Sequence, residues 1–372
     1  MVNRGNASGS DQRPWAWIIL GWFWVVILAC LIGGGIALQV LGPPTPTAPR
    51  MPLAGPDRPR PSQAGAPGPS SPATSPAPPV SAAAIAIPSQ PATGRGGLAP
   101  ADMALLEPGP EDGILPRIGP DGRMPMQVYA APFDPTDPRP RVAVLLGGIG
   151  MAEMDSEEAI RATPPAISLA ISPYAARPAR LQEMARAAGH ETLISIPMEP
   201  AGYPLDDPGN RALLTGLPAA QNQERLLWAL SRIAGYVGAT GSNNGLRGER
   251  FAASGQMPQV LNELARRGVL YIDARPTAAR TTAAPQDRRP GLRAVDVTID
   301  DPPVRAEIEA KLSRLEQISR DRGAAIGLAS LPGPVTVERL AAWAAKLPGR
   351  GVVLVPVSAL VSPLPLPTET RR

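Results

Sequence analysis

One histidine, His190, and one cysteine, Cys30, are the whole imidazole and thiol inventory of this 372-residue chain. Catalytic and structural zinc sites draw on several His or Cys ligands. A hydrolytic triad needs an imidazole base beside its nucleophile. A His-rich metal centre is therefore excluded by composition. Carboxylates, amides, hydroxyls and guanidinium groups remain, and chemistry is to be sought where the backbone gathers them. Cys30 lies in an apolar run; Ile27-Leu28-Ala29-Cys30 partly matches a lipoprotein box, but apolar residues follow it, so it reads as a buried structural thiol.

The elements that must position those groups begin at Arg141. Short apolar runs bounded by breakers, the pattern of buried strands, recur at 142–146, 166–171, 192–196, 236–240, 269–273, 295–299, 324–328 and 352–357. Helical spacing separates most of them, as in Leu181, Met184, Ala185 and Ala188, then Leu226, Leu227, Leu230 and Ile233, Ile308, Leu312 and Leu315, and Val337, Leu340, Ala341 and Ala344. Strand alternating with helix over this length predicts an α/β fold with a largely parallel sheet, long enough to close as a barrel. In such folds chemistry sits at the C-terminal ends of the strands.

Ahead of this region the chain changes character twice. Trp15 to Leu41 carries no charge, and about 20 apolar residues suffice to span a bilayer. One transmembrane helix is expected at 15–41, after a short cytoplasmic tail at 1–14. A cleaved signal peptide is the rival reading, which the length of the apolar run disfavours. Residues 42–138 open with repeated Pro, Ala and Ser, and a disordered Pro/Ala-rich spacer is expected there. Apolar positions from 99 to 135, among them Met103, Leu105, Met124 and Tyr129, leave docking on the following domain open. The folded domain is expected at 139–362, with a disordered tail at 363–372.

Charge excludes little but is informative. The formal net charge is +4, and of 36 basic residues only Lys311 and Lys346 are lysines. The arginines are scattered and aromatics are 4%, which does not make the clustered basic, aromatic face of a nucleic-acid binder. The first strand ends in Gly147-Gly148-Ile149-Gly150. A dinucleotide fingerprint would need glycine at 153, where Glu153 stands, so the segment reads as a tight strand-to-helix turn.

The other strand ends carry a resemblance. Ala170-Ile171-Ser172-Pro173-Tyr174, Gly189-His190-Glu191, Ile196-Pro197-Met198-Glu199-Pro200, Gly241-Ser242-Asn243-Asn244, Tyr271-Ile272-Asp273-Ala274-Arg275 and Ala325-Ile326-Gly327 follow one another in an order that resembles the divergent polysaccharide deacetylases, relatives of the NodB-type carbohydrate esterases. The likeness covers about 141–360. It implies a distorted (β/α) barrel of NodB/polysaccharide-deacetylase type and removal of acetyl groups from envelope glycans with a divalent metal such as zinc. The family pattern has Asp-Asp where this chain has Gly147-Gly148. It has His where Ser195, Gly245 and Leu328 stand.

Every one of those departures removes a ligand or base. The resemblance therefore points to a catalytically inactive member with no metal ligands and no cofactor, whose binding residues are Glu199, Asn243, Asn244, Asp273 and Arg275. A plainer reading makes Asp273 and Arg275 a rim ion pair, the asparagines a turn, and His190 a strand-start residue. The expected partners are an envelope glycan or peptidoglycan-processing proteins, at the inner membrane with the C-terminal domain in the periplasm and no nucleic acid. An active esterase with a rebuilt site and a protein-only envelope scaffold are the alternatives.

Overall fold

The computed structural model describes residues 97–276 and 291–362, together with Trp24. Apart from Trp24, the expected tail at 1–14, span at 15–41, spacer as far as 96 and tail at 363–372 lie outside the described residues. Among the described residues no helix is long and apolar enough to cross a membrane.

The body begins with a hairpin, β1 (Leu106–Pro108) antiparallel to β2 (Ile114–Pro116), and a single turn, α1 (Pro125–Val128). Alternation follows: β3 (Arg141–Ile149), α2 (Glu153–Ala162), β4 (Ser168–Ile171), α3 (Pro178–Ala187), β5 (Thr192–Ser195), α4 (Ala219–Leu230), β6 (Gly238–Thr240), α5 (Glu249–Ala252), α6 (Met257–Arg266) and β7 (Leu270–Asp273). Then come β8 (Leu292–Ala294), β9 (Val297–Thr298), α7 (Arg305–Arg322), β10 (Ala324–Ala329), α8 (Pro334–Ala344) and β11 (Val353–Leu354). Proline opens α3 and α8, where its missing N–H costs nothing. Gly323 closes α7 in a left-handed conformation and turns the chain straight into β10.

The large sheet is parallel, in the order β8-β7-β6-β5-β4-β3-β10-β9, with β11 beside the start of β3. Its two ends belong to one short segment. Residues 292–294 pair with β7, and after Val295 donates to the Asp273 carbonyl, Asp296 donates to Ile326 and residues 297–298 pair with β10. This crossing curls the sheet into a form consistent with a distorted barrel. The expected strands are observed, 142–146 and 324–328 lengthened to 141–149 and 324–329 and the others trimmed, and 352–357 pairs only at Val353 and Leu354. Leu292–Ala294, with Arg293 in its middle, carries no apolar run to announce it.

Alternation along the strands sorts the core into two clusters. Ala143, Leu145, Ala170, Leu193, Leu270, Ile272, Ile326 and Leu328 pack together on one face. Val142, Val144, Leu146, Leu169, Ile171 and Ile194 pack on the other, with side chains of the helices. Leu105, Met124, Met126 and Tyr129 belong to the first cluster. The spacer expected to reach residue 138 therefore stops short: residues 97–138 are part of the folded body, because the cluster is incomplete without their apolar side chains.

Two buried charges bind this stretch to the sheet. The Arg186 guanidinium donates to the carbonyls of Ala99 and Gly235 and stands 5.3 Å from the Tyr129 ring centroid. The Glu191 carboxylate accepts from Ser168 Oγ, the Ser358 backbone and hydroxyl, and the Ala131 backbone, joining the starts of β4 and β5 to both flanking segments. Burial raises its pKa against those hydrogen bonds.

Candidate functional site

The C-terminal ends of β3, β5, β6, β7, β9 and β10 lie at one end of the sheet, since all run parallel. The sequence places its candidate residues there, and the structure shows what each one touches.

A side chain on Gly147 would crowd its neighbours. A Cβ on it would stand 3.1 Å from the Ser330 carbonyl oxygen and 3.2 Å from Ser242 Oγ. Gly148 sits at φ +71°, and a Cβ there would meet Leu331 Cδ2 at 2.9 Å and Pro332 Cδ at 3.0 Å. The turn after β10 thus occupies the space into which two aspartates would project. Gly245 is also left-handed, at φ +80°, with Leu331 as its nearest neighbour at 3.6 Å. Leu328 is fully buried in the core, and Ser195 is fully buried with its hydroxyl unpartnered.

Asp300, two residues beyond β9, explains why that turn holds its place. It is 8% exposed and accepts the backbone N–H groups of Ser330 and Leu331. Burial pushes its pKa up, opposed by those same hydrogen bonds. Sequence reasoning missed this residue. Its signal was an acidic Asp300-Asp301-Pro302 step at a strand end, the place where such folds put polar groups.

Glu199 is buried just beyond β5. Its carboxylate accepts from the backbone and hydroxyl of Thr215 and from Arg250 Nη1 at 2.9 Å. Burial raises its pKa, but the Thr215 and Arg250 hydrogen bonds outweigh that and leave it below the ordinary glutamate value. Asn243 and Leu246 exchange backbone hydrogen bonds around Asn244 and Gly245, both with positive φ. Asn244 and Gly245 are therefore the corner of a two-residue turn, and Asn243 is the paired residue that leads into it. Asp273 and Arg275 form a two-pronged ion pair, Nη2 to Oδ2 at 2.8 Å and Nε to Oδ1 at 3.1 Å.

These candidates share one end of the sheet, and Glu199, the asparagine turn and Asp273 are each tied to local partners. His190 is elsewhere. Its ring nitrogens face the carbonyls of Ile167 at 2.8 Å and Ile160 at 3.0 Å, ahead of β5, and burial lowers its pKa.

The donor set does not fit a catalytic divalent metal. Among the described residues no three His, Cys, Asp or Glu side chains gather in a way that holds an ion. The two glycines supply no side chain in a crowded space, and Glu199 and Asp273 each serve an arginine. Buried oxygens without partners do collect at the strand ends: Ser195 Oγ, Ser242 Oγ, Asn243 Oδ1, Thr298 Oγ1 and Ser330 Oγ. Their chemistry is neutral hydrogen bonding. A groove of about 1000 Å³ is lined by the alanine-rich segments 162–166, 187–188 and 341–345, and touches none of these residues.

Residues 144–361 match the model of the divergent polysaccharide deacetylase family. An uncharacterized protein of Haemophilus influenzae is 26% identical over 211 residues, covering 56% of this chain and 72% of that one. The uncharacterized protein YibQ of Escherichia coli is 25% identical over 232 residues, covering 62% and 70%. The crystal structure of uncharacterized protein ATU2773 from Agrobacterium tumefaciens C58 superposes with a TM-score of 0.62 at 34% identity, covering 67% of this chain and all of that one.

Proposed function

Because the chain belongs to the divergent polysaccharide deacetylase family, whose name implies a carbohydrate-related function, we propose that it is a catalytically inactive member that binds an envelope glycan. The carrying observation is the filled site. Gly147 and Gly148 stand against Ser242, Ser330, Leu331 and Pro332, so an acid at either position at the end of β3 would crowd its neighbours, and at Gly148 it would also be strained. Ser195, Gly245 and Leu328 supply no imidazole. Hydrolysis of an acetyl group needs an activated water, and a free water titrates far from neutrality where a metal-bound one does not.

The uncharged stretch Trp15–Leu41 supports anchoring in the inner membrane, with the folded domain in the periplasm. Peptidoglycan, or a protein that processes it, is then the nearest binding partner. The test is made on the full chain. It should take up zinc, cobalt or nickel no better than a generic protein surface, release no acetate from acetylated amino-sugar oligomers, and bind those oligomers. Stoichiometric metal, or acetate release abolished by Glu199→Gln or Asp273→Asn, would establish a rebuilt esterase instead. Retention of a peptidoglycan-processing protein without any glycan binding would leave a scaffold.

A further inference from the structure

The flank formed by Tyr174, the loop after β5 and the end of α4 concentrates positive charge around one indole. Trp228 is buried, and its ring centroid lies 5.4 Å from that of Tyr174. The guanidinium carbon of Arg211 stands 5.4 Å from the indole centroid and that of Arg232 stands 5.7 Å from it. Arg225 reaches the same place from α4, donating to the carbonyl of Ala212, next to Arg211. Arg232 donates to the Pro173 carbonyl, and the Tyr174 hydroxyl accepts the Arg211 backbone N–H.

Acid does not balance these cations. Arg211 has Glu111 at 2.8 Å. Among the described residues, Arg225 and Arg232 each have a backbone carbonyl and no carboxylate within ion-pair distance. Guanidinium cannot shed its proton to relieve the crowding. Stacking on the indole orients the planar groups and leaves their edges free to donate. The Tyr174 O–H, whose oxygen is already used as an acceptor, is a further donor. Three guanidinium groups and a phenol outnumber the two acids at their margin, Glu111 on Arg211 and Asp207 beside Tyr174, and such a donor-rich set is the complement of an oxyanion.

We infer that Tyr174, Arg211, Arg225 and Arg232 form a subsite for the oxyanion of an acidic glycan, carried as a carboxylate or a phosphate. The inference rests on the glycan-binding reading and narrows its ligand from neutral to anionic sugar. The loop that carries Arg211 also carries Thr215, which Glu199 clasps, so the subsite adjoins the strand-end region through one short stretch of chain.

Calorimetry on the full chain tests this with four probes: a neutral N-acetylated amino-sugar tetramer, a tetramer of the same length bearing carboxylates, one bearing phosphate monoesters, and inorganic phosphate. The acidic tetramers should bind at least about tenfold more tightly than the neutral one, with the advantage shrinking as salt rises. The tighter of the two identifies the source of the oxyanion. Arg225→Gln and Arg232→Gln should each remove most of that advantage. Arg225→Lys should restore only part, because an ammonium lacks the planar fork.

Equal affinity for neutral and acidic tetramers, or acidic binding indifferent to both substitutions, would overturn the inference and spare the glycan reading. Arginine-dependent binding of inorganic phosphate with no tetramer bound would overturn both the glycan reading and the acidic-glycan ligand. If the glutamine variants fail to fold, displacement of the acidic tetramer by inorganic phosphate from the unaltered chain decides, and failure to displace it sinks the proposal.

Discussion

Both carboxylate oxygens of Asp300 stand 2.8 Å from the backbone nitrogen of Ser330, and one also accepts from Leu331 at 3.0 Å. A buried acid thereby fixes the turn that fills the space beside Gly147 and Gly148. Asp300→Ala should cost about 1–3 kcal/mol for each N–H left unpartnered, read by denaturant unfolding. The pH dependence has a definite sign. A carboxyl whose folded pKa is raised by burial contributes most below its unfolded value of 3.8 and loses that contribution as pH rises through the folded pKa. Stability of Asp300→Asn relative to the native chain should therefore improve as pH rises from 3 to 7. A flat difference would remove the burial penalty from the account.

Restoring the family's acids should damage this protein before it helps it. At φ +71° any side chain on Gly148 is strained, and its Cβ would stand 2.9 Å from Leu331. Gly148→Asp should lose about 1–3 kcal/mol, seen as a melting point lower by several degrees. The double substitution with Gly147→Asp should neither bind zinc nor release acetate, because the remaining ligands are absent. A stable double variant with stoichiometric zinc would contradict this.

His190, as the chain's one imidazole, can be followed alone. Burial depresses its pKa below the ordinary imidazole value of 6.5, so the unfolded chain takes a proton in a range where the folded one does not. Stability from this residue is complete above about pH 6.5 and falls as pH drops below it. The imidazole resonance should not titrate with an ordinary midpoint, and His190→Gln should flatten stability between pH 7.5 and 5. A midpoint near 6.5 would show the ring to be solvated.

A fragment beginning at residue 139 should be poorly folded where one beginning at 97 is not. The shorter fragment strips Leu105, Met124, Met126 and Tyr129 from the inner cluster, and loss of each large buried side chain costs about 2–5 kcal/mol. Cooperative unfolding of the 139–372 fragment at native stability would make the 97–138 stretch an ornament.

The strand ends were legible because residues 142–146, 269–273 and 324–328 are short, apolar and bounded by breakers, which is what a strand buried on both faces requires. The missing imidazoles and carboxylates were legible by inventory. Leu292–Ala294 was not: its central arginine hides a strand whose existence depends on β7 lying beside it. Nor was the role of residues 97–138, whose apolar positions have no period of their own because a cluster elsewhere in the chain decides which of them are buried.

By itself, then, the sequence determined the alternation of strand and helix, the uncharged N-terminal run and the absence of a His-rich metal centre, since each depends on residue types at short spacing. Tertiary structure alone decided that Asp300 holds the turn over Gly148, that Asn244 and Gly245 make a corner, and that Arg225 and Arg232 have backbone carbonyls and no carboxylate as partners among the described residues. Those facts join positions far apart in the chain, and they exist only once the curled sheet brings its strand ends and loops into contact.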